Sequence, residues 1–178
     1  MTIQAHRTET ATAIRQPRRG ATGAAEWYRH NLGWPVDIAG GGVHLILTGG
    51  LAAFEVPAHL AGGVLRRLSD LGAVGPVLRT GTDNDRVAFL CDVDDIVFAQ
   101  ADMPLGVRCP RMGAALPLPS PRPSKSWLVA PDPDRRWLPS ASAVLHAVRH
   151  TTAAAARAVS PGFPRATADR TRSRKDFG

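Results

Sequence analysis

Cysteine and lysine are scarce in this 178-residue chain, whose only lysines are Lys125 and Lys175. The two cysteines, Cys91 and Cys109, have neither the Cys-x-x-Cys spacing nor the nearby histidine pair of a structural zinc site. We expect both to be reduced, buried thiols. No segment approaches the roughly 18 uninterrupted apolar residues of a membrane span, and the amino terminus lacks the apolar region of a signal peptide. We therefore expect a cytoplasmic protein without a membrane partner.

Motifs of several enzyme classes are also missing. Gly40-Gly41-Gly42 has neither the lysine nor the following helix of a phosphate-binding loop, so we interpret it as a tight connection between strands. His146 and His150, four apart on an expected helix, could share a metal ion, but no third ligand accompanies them. The serines of the Pro-rich stretch lack the Gly-x-Ser-x-Gly elbow of a nucleophile; they are Ser120, Ser124 and Ser126.

The composition that remains is that of one globular domain. Hydrophobic residues make up 44% and charged residues 21% of the chain, and the 17 glycines and 15 prolines favour short elements joined by turns. Residues 1–20 lack apolar periodicity, and the chain from about Val159 is basic and rich in Ser and Thr. We expect disordered basic tails over residues 1–20 and 158–178, around a domain of residues 21–157.

The net charge of +7 is concentrated in these tails. Residues 21–156 carry as many acidic as basic residues, and a neutral body argues against a strongly electrostatic DNA channel. We therefore expect any DNA or RNA to contact the tails. The basic residues assigned to this contact are Arg15, Arg18, Arg19, Arg170, Arg172, Arg174 and Lys175. GC-rich coding alone is the alternative explanation for so much arginine.

Apolar spacing predicts three main helices. Thr22 is the expected N-cap of the first, which Gly33 ends, and Pro57 opens the second. Ser140 begins the last. The apolar stripe of the second helix consists of Leu60, Val64, Leu68 and Leu71.

Short apolar runs bounded by turn residues predict strands. They cover Trp34 to Ala39, Val43 to Thr48, Leu51 to Val56, Val74 to Thr80, Arg86 to Cys91, Ala114 to Leu118 and Trp127 to Ala130. The fourth and fifth form a hairpin, and Ile96 to Ala101 predict a helical turn or two. Because strands and helices do not alternate, the pattern predicts an α+β fold, a mostly antiparallel sheet with packed helices. We expect the second helix to pack on the strands that begin at Val43 and Leu51.

Four segments, in this order, resemble the N-terminal domain of actinobacterial primase-polymerases, which belong to the archaeo-eukaryotic primase superfamily. They are Trp27 to Val36, Ala52 to Leu68, Val74 to Leu78 and Gly113 to Ser124. The resemblance implies an RRM-like core whose sheet presents two carboxylates for divalent metal ions and a histidine for the nucleotide phosphates.

The chain departs from the family's pattern at both groups. The first acidic motif falls on Ala52 to Val56, where Glu55 is the only carboxylate, and Ala88 stands about where the histidine belongs. Because two-metal phosphoryl transfer needs closely spaced carboxylates, the resemblance implies the fold rather than the activity. We therefore expect a catalytically degenerate protein without a cofactor, an accessory or regulatory module that binds nucleic acid or nucleotide.

Two alternatives stay open. Asp92 and Asp94 follow a buried strand whose alternation would put both on one face, and with Glu55 they would hold Mg²⁺ or Mn²⁺ in an active nucleotidyltransferase. Asp94 or Asp95 could instead cap the segment that follows. In the other alternative the chain is an adaptor for a protein partner, and its basic tails serve only solubility.

Overall fold

The computed structural model describes residues 20–81, 83, 85–94, 102–121 and 124–159. Its elements are α1 (Gly20–Leu32), β1 (Val36–Ala39), β2 (Gly42–Ile46), β3 (Leu51–Pro57), α2 (Ala58–Asp70), β4 (Val77–Thr80), β5 (Arg86–Asp92), β6 (Ala115–Leu118), β7 (Trp127–Val129) and α3 (Ala141–Val159). The helical turn predicted at Ile96 to Ala101 lies outside the described residues. Within them, no helix combines the length and apolar character required to cross a bilayer.

The described strands form two antiparallel sheets. The first has the order β1-β2-β6 and the second the order β3-β5-β4-β7. β4 and β5 pair as the expected hairpin, with Thr80 opposite Arg86. Antiparallel sheets combined with packed helices confirm the predicted α+β class.

The glycine run between β1 and β2 forms a hairpin turn. Gly40 and Gly41 have φ angles of 58° and 76°, and Ala39 pairs with Gly42 across the turn. Two consecutive positive φ angles are those of a type I′ turn, whose twist matches that of the flanking strands. The run is therefore a strand connection, as the sequence predicts.

One hydrophobic core lies between the two sheets. Leu45 and Leu116 of the first sheet are buried in the same cluster as Leu78 and Leu90 of the second. Alternation along β4 and β5 turns Leu78 and Leu90 to this face and their sequence neighbours to the other. The second sheet is therefore covered on this face by the first sheet and α1.

Aromatic side chains join α1 to both sheets. The buried Tyr28 ring stacks on Trp34 with centroids 5.7 Å apart, and its hydroxyl donates a hydrogen bond to the Pro119 carbonyl at 2.9 Å. The Trp34 ring in turn packs near that of Trp127 in β7, with the two ring centroids 6.4 Å apart. Burial raises the pKa of Tyr28, so the phenol stays neutral.

A second core lies on the opposite face of the second sheet, under α2 and α3. Phe54 of β3 and Phe89 of β5 are buried there with Val64 and Leu68 of α2. The predicted stripe is thus confirmed except at Leu71, which follows the end of α2 and is 45% exposed.

Of the two strands that were expected to pack against α2, one is right and one is wrong. α2 contacts β3 and β5, whereas the strand predicted from Val43 belongs to the other sheet. The chain changes sheets at Gly49, whose φ of 63° and neighbouring Leu51 to Thr48 hydrogen bond mark a turn. Two runs that are adjacent in sequence therefore do not pair with each other.

The predicted start was wrong for α1 but right for α2 and α3, since α2 follows Pro57 and α3 follows Ser140. α1 begins at Gly20, so Thr22 lies in its first turn rather than at an N-cap. Gly33, with a φ of 69°, follows Leu32 as the predicted terminator. The Ser140 hydroxyl accepts a hydrogen bond from the Ala143 N–H at 3.2 Å, which confirms that the last helix starts there.

Candidate functional site

A cleft of about 470 Å³ opens between the sheets, where β3 and β4 approach β6. Its apolar wall is formed by Leu47, Pro110, Ala114, Ala115, Leu116 and Pro117. Its polar side chains are Glu55, Arg79 and Thr80. A cavity of a few hundred Å³ with mostly apolar walls and few polar groups is the usual form of a small-ligand site.

Glu55 is held firmly in this cleft. Its side chain is 16% exposed, and its Oε2 lies 3.9 Å from the Arg86 Nε. The Arg86 Nη2 donates to the carbonyls of Glu55 and Gly106 at 2.9 and 2.8 Å. The Glu55 backbone also exchanges two hydrogen bonds with Arg108, at 2.8 and 2.9 Å. The ion pair at the Glu55 carboxylate is loose, but the backbone of Glu55 is held rigidly. The carboxylate is therefore a hydrogen-bond acceptor in a fixed position.

Thr80 lines the same cleft, and its buried hydroxyl has no hydrogen-bond partner. The residue is 9% exposed, and its Oγ1 is fully inaccessible and unbonded. The Arg86 Nε, on the neighbouring strand, also lacks a hydrogen-bond acceptor. Because leaving a buried polar group unsatisfied costs about 1–3 kcal/mol, such groups call for a functional explanation. Thr80 borders the cleft, so a ligand there would lie beside its hydroxyl, whereas Arg86 is not among the lining residues.

The structure does not bring Glu55 together with the two aspartates. Asp92 pairs with Leu51, four residues along β3 from Glu55, whose partner is Ala88. At about 3.3 Å per residue this offset separates them by about 13 Å along the strand. In the described part of the chain, no three His, Cys, Asp or Glu side chains group closely enough to hold a metal ion.

Asp94 binds the start of α3. Its Oδ2 accepts hydrogen bonds from the Ser142 hydroxyl and from the Ser142 N–H, the latter at 3.1 Å. The Ser142 hydroxyl is the main cause of a lowered pKa at Asp94. β5 ends at Asp92, so the strand alternation that was expected to align Asp92 and Asp94 stops before Asp94 is reached. Asp94 does cap a helix, but one that is distant in sequence.

We expect Asp94→Ala to lower the free energy of unfolding by about 1 kcal/mol at pH 7, since it removes a capping carboxylate. The folded pKa lies below the unfolded one, so this stabilisation is present above the unfolded pKa and is lost as the pH falls through the folded pKa. Urea unfolding at pH 7 and pH 3 measures the free energy of unfolding of the variant and of the wild type. The difference between the two should be smaller at pH 3. Asp92→Ala, at an exposed position, is the control; an equal effect of both changes would contradict the capping role.

The other sequence candidates occupy structural or surface positions. His146 and His150 are exposed on α3, and the His146 Nε2 lies 3.4 Å from the Arg67 Nη2. The Ser124 hydroxyl accepts a hydrogen bond from the Ser126 N–H at 3.2 Å, as in a turn. The tail residues proposed to contact nucleic acid lie outside the described residues; they are Arg15, Arg18, Arg19, Arg170, Arg172, Arg174 and Lys175.

Cys91 and Cys109 are thiols rather than a disulfide, and they belong to the core under α2 and α3. Cys91 is buried and Cys109 is half-buried, so the expectation of burial holds fully only for Cys91. Burial raises the pKa of both thiols. Because the thiolate is the reactive form, neither has the environment of a nucleophile.

Comparison with family models, with curated proteins and with solved structures finds no match to the chain. The primase-polymerase resemblance therefore remains an expectation drawn from the residues. Function has to be argued from the geometry of the cleft.

Sequence reasoning singled out Glu55 but missed Thr80 and Arg86. A threonine in a strand ordinarily indicates only β-propensity. The pairing of Thr80 with Arg86 shows that Thr80 lies beside β5, the strand that also pairs with the strand of Glu55. A basic residue at the start of a strand likewise carries no motif. The available signal was the hairpin prediction, which places residues 80 and 86 opposite each other.

Proposed function

We propose that the chain is a non-catalytic binding module that holds a nucleotide in the cleft between its sheets. The observation that carries the proposal is that Glu55 and Thr80, whose hydroxyl is unbonded, both line this cleft. The resemblance to primase-polymerases supplies the ligand class, since it assigns nucleotide chemistry to the segment Ala52 to Val56. An RRM-like arrangement of the second sheet belongs to the same proposal.

The cleft favours one orientation of the ligand. A carboxylate repels phosphate but accepts hydrogen bonds from N–H groups, so the base lies toward Glu55. Rotation of the Thr80 side chain on binding turns its unbonded hydroxyl toward the same base. Arg79 is exposed at the rim and is the cation available to the phosphate. Pro117 and Leu116 provide an apolar wall for the flat base.

Binding without catalysis follows from the separation of the carboxylates. Two-metal phosphoryl transfer requires ligands that hold two ions about 3.5–4 Å apart. Glu55 already lies near Arg86, and Asp92 is offset from it by four residues along the strand pair. Asp94 is occupied by the first turn of α3.

Calorimetric titration of the full chain with nucleoside monophosphates in the presence of EDTA tests the proposal. We expect GMP, AMP and CMP, whose bases carry an exocyclic amino group, to bind more tightly than UMP. Glu55→Gln should weaken GMP binding roughly tenfold to a hundredfold, because hydrogen bonds to charged groups contribute about 1.5–3 kcal/mol. Thr80→Val should weaken binding while leaving the melting temperature unchanged or higher, since its hydroxyl has no partner to lose.

Glu26→Gln provides the matched control, because Glu26 is an exposed carboxylate on α1 outside the cleft. It should bind all four nucleotides like the wild type. Absence of nucleotide binding, or equal binding by the Glu55, Thr80 and Glu26 variants, would refute the cleft as the site.

A further inference from the structure

The outer face of the helical layer is a second place where charge is concentrated. α2 and α3 pack side by side in opposite directions, as shown by Gly63 beside Thr151 and Arg67 beside His146. The faces that point away from the sheet carry a set of basic side chains. We call this set the helical basic surface; it consists of His59, Arg66, Arg67, His146, Arg149, His150 and Arg157.

The helical basic surface is almost free of carboxylates. α3 contains neither aspartate nor glutamate, and the only acidic residue of α2 is Asp70, its last residue. Among the described residues, Asp94 accepts hydrogen bonds from Ser142 in the first turn of α3, and the backbone carbonyl of Asp102 accepts one from the Arg149 Nη2 at 3.4 Å. The surface therefore carries an excess of positive charge.

The net charge summed over the chain does not reveal this excess of positive charge on the helices. Residues 21–156 are neutral in sum, but many of their exposed carboxylates lie on strands and turns rather than on the two helices. These include Asp37, Asp83, Asp85, Asp132 and Asp134. A neutral body with segregated charges attracts a polyanion to one side.

The basic groups are arranged along the helices rather than scattered. His146, His150 and Arg157 recur at helical spacing on one exposed stripe of α3, which extends over about 16 Å at 1.5 Å per residue. Arg66 is exposed on the adjacent helix, while Arg67 lies between the helices with its Nη2 3.4 Å from the His146 Nε2. Such an array of N–H donors matches a row of phosphates.

We infer that the helical basic surface binds the sugar-phosphate backbone of duplex nucleic acid. The surface has no Phe, Tyr or Trp on which the bases of a single strand would stack, and no Asn or Gln to read base edges. It also lacks the large apolar side chains that insert a basic helix into a membrane or anchor a protein interface. None of its residues lines the nucleotide cleft, so the inference stands independently of the proposed function.

Fluorescence anisotropy with a labelled 20-base-pair duplex of arbitrary sequence tests the inference on the full chain. The variant is the triple change Arg66→Gln, Arg149→Gln and Arg157→Gln, all at exposed positions. The control is the triple change Arg111→Gln, Arg135→Gln and Arg136→Gln, also exposed but outside α2 and α3. Both variants lose the same net charge and keep both basic tails.

We expect the helical triple variant to bind roughly tenfold or more weakly than the control. Its plot of log affinity against log salt should be shallower by about 2.7, since each lost phosphate contact reduces the slope by about 0.9. Wild-type affinity in both variants would assign binding to the tails, and equal weakening of both would assign it to net charge alone; either result would overturn the inference. Equal affinity for a single strand, or tighter binding to vesicles of anionic phospholipid, would also overturn it.

Discussion

Replacing Leu68 with alanine is expected to lower the free energy of unfolding by about 2–5 kcal/mol. Leu68 is 1% exposed and belongs to the core between α2, α3 and the second sheet. Truncation removes apolar contacts and leaves a cavity that the neighbouring Phe89 and Val64 can fill only in part. Against a typical domain stability of about 5–15 kcal/mol, the loss should appear as a clear fall in the melting temperature.

Arg66→Ala is the control for this experiment, because Arg66 is an exposed residue of the same helix. Its effect should stay within about 0.5 kcal/mol. Small and equal effects of the two changes would show that α2 does not pack on the sheet. The layered arrangement described above would then be incorrect.

Gly75→Ala is expected to destabilise the fold by about 1–3 kcal/mol or more, the range for overpacking a tight site. A methyl group on Gly75 would overlap the Pro139 ring, and the Leu90 carbonyl lies 3.5 Å away on another side. The ring cannot rotate aside as a flexible side chain would. Pro139 is also fixed by its carbonyl, which accepts a hydrogen bond from the Asp92 N–H at 2.9 Å.

At Gly62 the same change to alanine should raise the free energy of unfolding instead of lowering it. Gly62 is exposed in the interior of α2, and a methyl group there meets only the Arg66 guanidinium at 3.8 Å. Alanine should therefore stabilise the helix by up to about 1 kcal/mol through lower backbone entropy in the unfolded chain. Chemical denaturation of the Gly75→Ala and Gly62→Ala variants measures both changes in the free energy of unfolding. A Gly75 variant as stable as the wild type would contradict the packing at Pro139.

The local elements were predictable because their signals are local. Gly33 and Ser140 mark helix ends through their own backbone and side-chain chemistry, and the hairpin between β4 and β5 follows from its turn residues. The division into two sheets was not predictable in this way. β2 pairs with β6, about seventy residues later, and the glycines between β2 and β3 resemble an ordinary hairpin link.

The candidate site was predictable only in part for the same reason. Glu55 could be chosen because it is the lone carboxylate of a strand, but its distance from Asp92 depends on the register of β3 on β5. Thr80 gains its role only from its unbonded hydroxyl in a cleft between sheets. The clustering of charge on α2 and α3 was not predictable, because a sum over the sequence does not show that these helices lie side by side.

A primer-extension assay on the full chain tests the central claim, binding without catalysis, most directly. The assay contains a primed template, all four deoxynucleoside triphosphates and either Mg²⁺ or Mn²⁺. We expect no extension with either ion, because Glu55 lies about 13 Å along the strand pair from Asp92 and Asp94 binds α3. Extension that is abolished by Glu55→Ala or Asp92→Ala would contradict the account.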